Sequence, residues 1–212
     1  MRATIDSATD PLTGAWTRAA LDRALERVDG TSLPLTLCLI DLDHFKSVND
    51  AFGHLRGDRS LAELGTRIGR SIREGDLLFR YGGDEFVLLL PRTDTDVAER
   101  IAARILDAVC AQPFSGDPPL HLTLSIGVAT ASGGLGNLLA SADSRLYEAK
   151  RRGRGRVVAK DPATPRALGV EEGGRLLERE EALERLLQFL ERPGDQRCGA
   201  LAVQGEQGSG RS

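Results

Sequence analysis

The sequence predicts an α/β fold, a mixed central sheet covered by helices, and three observations carry that prediction. The run at 33–41 is apolar almost without interruption and suits a strand buried on both faces. Four segments in the first 160 residues set their apolar residues at helical spacing and alternate with short apolar runs. Two of those runs flank Gly82-Gly83-Asp84-Glu85, a hairpin signal. After an opening helix the order is β–α–β–β–α–β, which gives a mixed sheet rather than a purely parallel one.

Thr17–Val28 forms the opening helix, with Ala20, Leu21, Ala24, Leu25 and Val28 apolar and Asp29-Gly30 as its stop. Leu33–Asp41 is the first strand and ends in acid. Leu61, Leu64, Ile68 and Ile72 share one stripe of a helix over Asp58–Arg73. Gly65 and Gly69 weaken that helix by roughly 1 kcal/mol each relative to Ala. Leu77–Tyr81 and Phe86–Leu90 are the hairpin strands, with the glycines supplying positive φ in the turn and Pro91 ending the second strand. Asp94 or Thr95 caps a helix carrying Val97, Ile101, Ile105 and Val109. His121–Thr130 is the next strand, Leu138–Lys150 the next helix, and Arg156–Lys160 a short edge strand. The stretch 161–174, with two Pro and three Gly, reads as a linker. Leu176–Leu190 follows as a charged amphipathic helix and Ala200–Gln204 as a small strand.

The bulk composition narrows the function. A net charge of −3 gives no field for nucleic acid or a membrane surface. No apolar run of about eighteen residues is present to span a bilayer, and Met1–Asp10 lacks the apolar core of a secretory signal. Cys38, Cys110 and Cys198 lie far apart, with no CxxC and no Cys/His cluster, so neither a disulfide framework nor a zinc site is expected and a reducing cytoplasm fits. Cys38, inside an apolar run, is expected as a buried thiol.

Two clusters carry chemistry. One is Asp41-Leu42-Asp43-His44-Phe45-Lys46 at a strand end, followed by Asn49, Gly53, His54, Gly57 and Asp58. The other is Arg80-Tyr81-Gly82-Gly83-Asp84-Glu85-Phe86 in the hairpin. Taken singly, a strand-end acid is often a helix cap and a Gly-Gly-Asp turn only a turn. Together, and with Asp10-Pro11-Leu12-Thr13-Gly14, Leu124-Ser125-Ile126-Gly127-Val128, Ala142-Asp143, Leu146-Tyr147, Ala149-Lys150 and Gly153-Arg154, the chain over about residues 9–158 resembles the GGDEF diguanylate cyclases.

The resemblance implies a nucleotide-cyclase-like sheet and condensation of two GTP into cyclic di-GMP by a homodimer that needs Mg²⁺ or Mn²⁺. Asp41, Asp84 and the Leu42 carbonyl are implied as metal ligands, hard oxygen donors suited to such an ion. Lys46 and the amides around Phe45 are implied for the terminal phosphates. Lys150 and Arg154 would place positive charge on the leaving pyrophosphate. Asn49 and Asp58 correspond to the family's guanine readers; an Asp accepts from guanine N1–H and N2–H₂, donors that adenine lacks in that arrangement. Glu85 is implied either as acceptor of the 3′-hydroxyl proton or as a second metal ligand. Gly82 and Gly83 would leave room for the nucleotide. Arg73-x-x-Asp76, at its offset before Gly82, matches the family's product-inhibition site. Arg151, Arg152 and Arg156 read instead as a solvated basic helix end.

One position departs from the family pattern: Thr17 stands where Asn is usual, and Thr can still cap the first helix. Few residues precede the domain, so no N-terminal sensor or coiled coil is expected. At the far end, Gly205–Ser212 fits a P-loop pattern after a strand, apart from Arg211 in place of Lys. The expected organisation is a cyclase domain at 1–160, a linker at 161–174 and, at 175–212, the truncated start of an AAA- or STAND-type ATPase that does not itself hydrolyse ATP. The alternative function is a catalytically silent receptor for GTP or cyclic di-GMP that regulates the fused ATPase. Intact Asp41, Lys46, Asp84 and Glu85 weigh against it.

Overall fold

The structure, a computed structural model, describes residues 8–28, 32–132 and 134–160. In chain order the elements are β1 (Trp16–Thr17), α1 (Arg18–Glu26), β2 (Leu35–Leu42), α2 (Phe45–Phe52), α3 (His54–Ser71) and β3 (Leu77–Gly82). They continue with β4 (Glu85–Leu90), α4 (Thr95–Cys110), β5 (Leu124–Ala131), α5 (Leu138–Arg151) and β6 (Arg156–Val158). The expected linker, amphipathic helix, small strand and P-loop-like run all lie outside the described residues.

The six strands form one mixed sheet in the order β1-β3-β4-β2-β5-β6. β2, β3, β4 and β5 pair antiparallel, while the edge strands join in parallel, β1 on β3 and β6 on β5. β2 has neighbours on both edges and all its residues are buried. Helices cover both faces as well, which explains why its sequence is a continuous apolar run.

Alternation along β2 separates two cores. Leu35, Leu37 and Leu39 pack with Leu21 of α1 and with Leu138, Ala142 and Leu146 of α5. Cys38, Ile40 and Leu42 pack with Leu61, Leu64 and Ile68 of α3 and with Ile101, Ile105 and Val109 of α4. Burial pushes the Cys38 thiol up to about 12, so it stays protonated and inert.

Several element boundaries differ from expectation. α3 starts at His54, four residues before the predicted Asp58, and a separate α2 precedes it. Gly53 and Gly57 interrupt the apolar period there and mask both helices. β1 is two residues long, too short to show a period, and β5 begins at Leu124 rather than His121. Thr17 takes the N-cap position of α1 in an extended conformation, but its side chain makes no capping bond. Asp94 does cap α4, accepting from the Val97 amide at 2.8 Å. Gly65 is required by packing: a Cβ there would stand 2.6 Å from the Thr13 carbonyl oxygen. Its propensity cost is the condition for seating the N-terminal turn on α3.

Candidate active site

The end of β2 meets the hairpin turn. Asp41 pairs across the ladder with Glu85 on one side and Ser125 on the other. The Leu42 amide donates to the Asp84 carbonyl at 3.3 Å, clasping the turn to the strand end. Of the two turn glycines only Gly83 has positive φ, at 26°; Gly82 closes β3. A Cβ on Gly83 would meet nothing within 4 Å, and one on Gly82 only the Glu85 Oε2 at 3.9 Å, so both border open space.

The local charge is acidic. Burial pushes the Asp41 carboxyl above its ordinary value; Lys150 opposes the shift, and the charges of Asp84 and Asp43 add to it. Lys150 Nζ lies 2.7 Å from Asp41 Oδ2, so the lysine expected on pyrophosphate is held beside an expected metal ligand. A bound cation lowers the cost of keeping Asp41 and Asp84 ionised together. Two carboxylates and a carbonyl fit Mg²⁺, which usually retains water and substrate phosphates in its shell. Among the described residues no group of three or more His, Cys, Asp or Glu forms a ready cage.

Asp43, two residues on from Asp41, has another task that sequence reasoning missed. It is 2 % exposed. It accepts from Thr123 Oγ1 and Ser125 Oγ at 2.7 Å each, and from the Gly155 amide at 3.0 Å. Arg154 stands 3.9 Å from it. Asp43 therefore ties the end of β2 to β5 and to the turn before β6. Hydroxyl residues at 123 and 125, beside the start of a buried strand, were the available signal.

On the nucleotide side, His44 occupies the N-cap of α2 at φ 60° with no side-chain cap bond. The first-turn amides of α2 stay open to an anion, with Lys46 exposed beside them and Phe45 packed on the core. Asn49, on α2, lies against Gly57 so closely that any Cβ at 57 would overlap its side-chain oxygen. That oxygen is buried and has no hydrogen-bond partner, an unusual state for a buried acceptor and one that a ligand donor resolves. Asp58 is exposed, one turn into α3. Beside it the buried Arg56 donates to the Ser115 and Pro118 carbonyls, pinning the first turn of α3 to the loop after α4.

A second support runs from the N-terminal turn. Asp10 accepts from the Thr13 amide at 2.9 Å and the Thr13 hydroxyl at 2.6 Å. Arg80 reaches both Asp10 oxygens through Nη1, at 3.1 and 3.2 Å, and the Gly83 carbonyl through Nε and Nη2, at 3.1 and 2.9 Å. The Asp10-Pro11-Leu12-Thr13-Gly14 motif thus braces the hairpin turn through one guanidinium. Burial raises the Asp10 carboxyl, but Thr13 and Arg80 outweigh it and hold it below its ordinary value.

Arg73 and Asp76 do not join this site. They meet each other just before β3, at the end of that strand away from the turn. Arg73 Nε is 3.1 Å from Asp76 Oδ1, and the Arg73 amide 3.1 Å from Oδ2. Arg73 Nη2 donates to the Pro91 carbonyl at 3.1 Å and to Thr93 Oγ1 at 3.0 Å. Arg151 and Arg152 pair with Glu148 on α5 and are well exposed, as a solvated helix end should be.

A family model described as "Diguanylate cyclase, GGDEF domain" matches residues 7–156. The chain is 40% identical over 159 residues to diguanylate cyclase DgcP of Pseudomonas aeruginosa, a match covering 70% of this chain and 23% of that protein. It is 42% identical over 163 residues to response regulator PleD of Caulobacter vibrioides, covering 72% and 36% respectively. The chain thus spans about a quarter to a third of the length of these relatives. Among solved structures, the GGDEF domain of DgcB from Caulobacter crescentus in complex with c-di-GMP superposes with a TM-score of 0.68 at 31% identity, covering 72% of this chain and 95% of that one.

Proposed function

Because this chain belongs to the GGDEF diguanylate cyclase family, we propose that residues 1–160 condense two GTP into cyclic di-GMP and two pyrophosphates. The carrying observation is the clasp that joins Leu42 to Asp84 and gathers Asp41 and Asp84 at one strand end. Asp41, Asp84 and the Leu42 carbonyl would hold Mg²⁺, for which Mn²⁺ could substitute, and a bound ion would supply charge neutralisation and Lewis-acid polarisation at the phosphates.

The chain's own residues orient the rest. Asp58 accepts from the guanine N1–H and N2–H₂, and the unpartnered Asn49 oxygen, held by Gly57, takes a further donor of the base. The open amides at Phe45, together with Lys46, grip the terminal phosphates. Lys150 and Arg154 add positive charge where pyrophosphate departs. Glu85, opposite Asp41 in the ladder, accepts the proton of the 3′-hydroxyl as that oxygen bonds to the α-phosphorus of the second GTP. The bond from that phosphorus to the oxygen bridging the β-phosphate breaks, pyrophosphate leaves, and the same step with the roles of the two nucleotides exchanged closes the ring. Each domain binds one GTP, so two copies must face each other. Arg73 and Asp76, remote from the turn, bind the accumulated product and slow the enzyme.

The activity test is product analysis by chromatography after incubating the chain at high concentration with GTP and Mg²⁺, beside Asp84→Ala. Cyclic di-GMP is expected from the wild type alone. Absence of product even after dimerisation is forced by an appended coiled coil would overturn the proposal in favour of a silent receptor.

A further inference from the structure

Among the described residues three non-glycines have positive φ: His44 at 60°, Arg154 at 61° and Arg92 at 52°. The first two flank the candidate active site, where strained backbone conformations tend to collect. Arg92 lies far from it, in the turn after β4. The turn alone gives no reason for arginine, because glycine or asparagine adopts that conformation at less cost. The backbone there is nevertheless firmly held: the Arg92 amide donates to the Ser32 carbonyl at 3.0 Å and the Thr93 amide to the Pro34 carbonyl at 2.8 Å.

This turn lines a cavity of about 310 Å³ together with Arg73, Glu74, Gly75, Asp76 and Pro91. Within it, Arg73 is largely committed. A guanidinium carries five N–H donors. Nε serves Asp76, and Nη2 serves both the Pro91 carbonyl and Thr93 Oγ1. Only the two donors on Nη1 remain. Cyclic di-GMP carries two phosphodiester charges and two guanine edges, more than one half-occupied fork can satisfy. The Arg92 side chain is exposed and makes no hydrogen bond or ion pair among the described residues.

We propose that Arg92 is a second ligand-binding arginine of the product site, held in a left-handed backbone conformation so that its free guanidinium can reach the cyclic di-GMP anchored by Arg73 and Asp76. This rests on the reading of Arg73 and Asp76 as the product site. Arg92 supplies the charge-assisted bonds to phosphate or to a guanine edge that Arg73 cannot make.

The test is calorimetric titration of cyclic di-GMP into the full chain and three variants: Arg92→Gly, Arg92→Asn and Arg73→Ala. Both Arg92 variants suit the left-handed turn, so each is expected to melt at or above the wild-type temperature. Each is expected to bind about ten-fold more weakly, with a shallower salt dependence than the wild type. A merely structural Arg92 would leave that salt dependence unmoved. Wild-type affinity in both Arg92 variants alongside lost binding in Arg73→Ala would overturn the role of Arg92 alone. Undiminished binding in Arg73→Ala, or none in the wild type, would overturn the underlying product site.

Discussion

At the end of the sheet where β2 finishes, the carboxylates of Asp41, Asp43 and Asp84 crowd about a single lysine, Lys150. Where β3 begins, the buried Asp76 is held by Arg73, with Glu74 and a second arginine, Arg92, alongside. The same hairpin strands connect the two places, yet their electrostatics differ. The first has surplus negative charge and is suited to a cation. The second balances two arginines against two carboxylates and keeps guanidinium donors, on Arg92 and on Arg73 Nη1, uncommitted. The proposed function, turnover of a metal–nucleotide complex checked by its product, would use both, separated enough that neither disturbs the other.

The sharpest way to break this comparison is at the acidic end. Asp84→Ala is expected to lower kcat on the order of a thousand-fold with little change in melting temperature, because Asp84 sits in a two-residue turn. Rate and thermal melt measured on the same sample decide it; a large loss of stability would mean that the carboxylate is structural.

Gly57→Ala probes the guanine pocket. The added methyl overlaps the Asn49 side chain, so KM for GTP should rise by about a hundred-fold, seen in initial-rate curves. A change confined to kcat would place Asn49 elsewhere in the cycle.

Asp10→Asn tests the brace on the turn. Because the folded Asp10 carboxyl lies below its unfolded value of 3.8, its stabilisation is full above that value and is lost as pH falls through the folded one. Urea unfolding should show the variant weaker by about 1–2 kcal/mol at pH 7, with the difference shrinking as pH falls below 3.8. A pH-independent gap would argue against the ionised Asp10–Arg80 pair.

The smallest effect on stability is expected where β3 begins. Arg73→Ala removes a guanidinium that is 59% exposed, so the discounted cost is about 0.5 kcal/mol. Progress curves should nonetheless lose their slowing as product accumulates.

The acidic end was legible in the sequence because its parts obey strong local rules. A strand buried on both faces shows itself as an unbroken apolar run, and a Gly-Gly turn between two such runs marks a hairpin. The placement of Asp41 beside Asp84 is what the resemblance to the family implies for those two elements. What stayed hidden depends on contacts between distant segments. Asp41 and Asp43 look alike in sequence, but only the partners at Thr123, Ser125 and Gly155 mark Asp43 as the acid tied into the fold. Arg80 reads as a strand residue until Asp10 is seen to meet it. Gly57 and Gly65 read as weak points in a helix until Asn49 and Thr13 are found packed against them.

The separations along the chain also set the order in which the two ends come into being. Arg73 and Asp76 are three residues apart and close as soon as one turn forms. Asp41 waits for Lys150, 109 residues later, and Asp43 for Gly155, 112 residues later. A nascent chain that has emerged only as far as β4 already holds both Asp41 and Asp84, without the lysine that opposes their repulsion or the turn that fixes the strand end. Long-range closures of this kind are the slow steps of folding. The Arg73–Asp76 pair is therefore made early and locally, while the candidate active site is among the last parts of the domain to be finished. A chain cut or stalled before Gly155 keeps the GGDEF signature but lacks a working site.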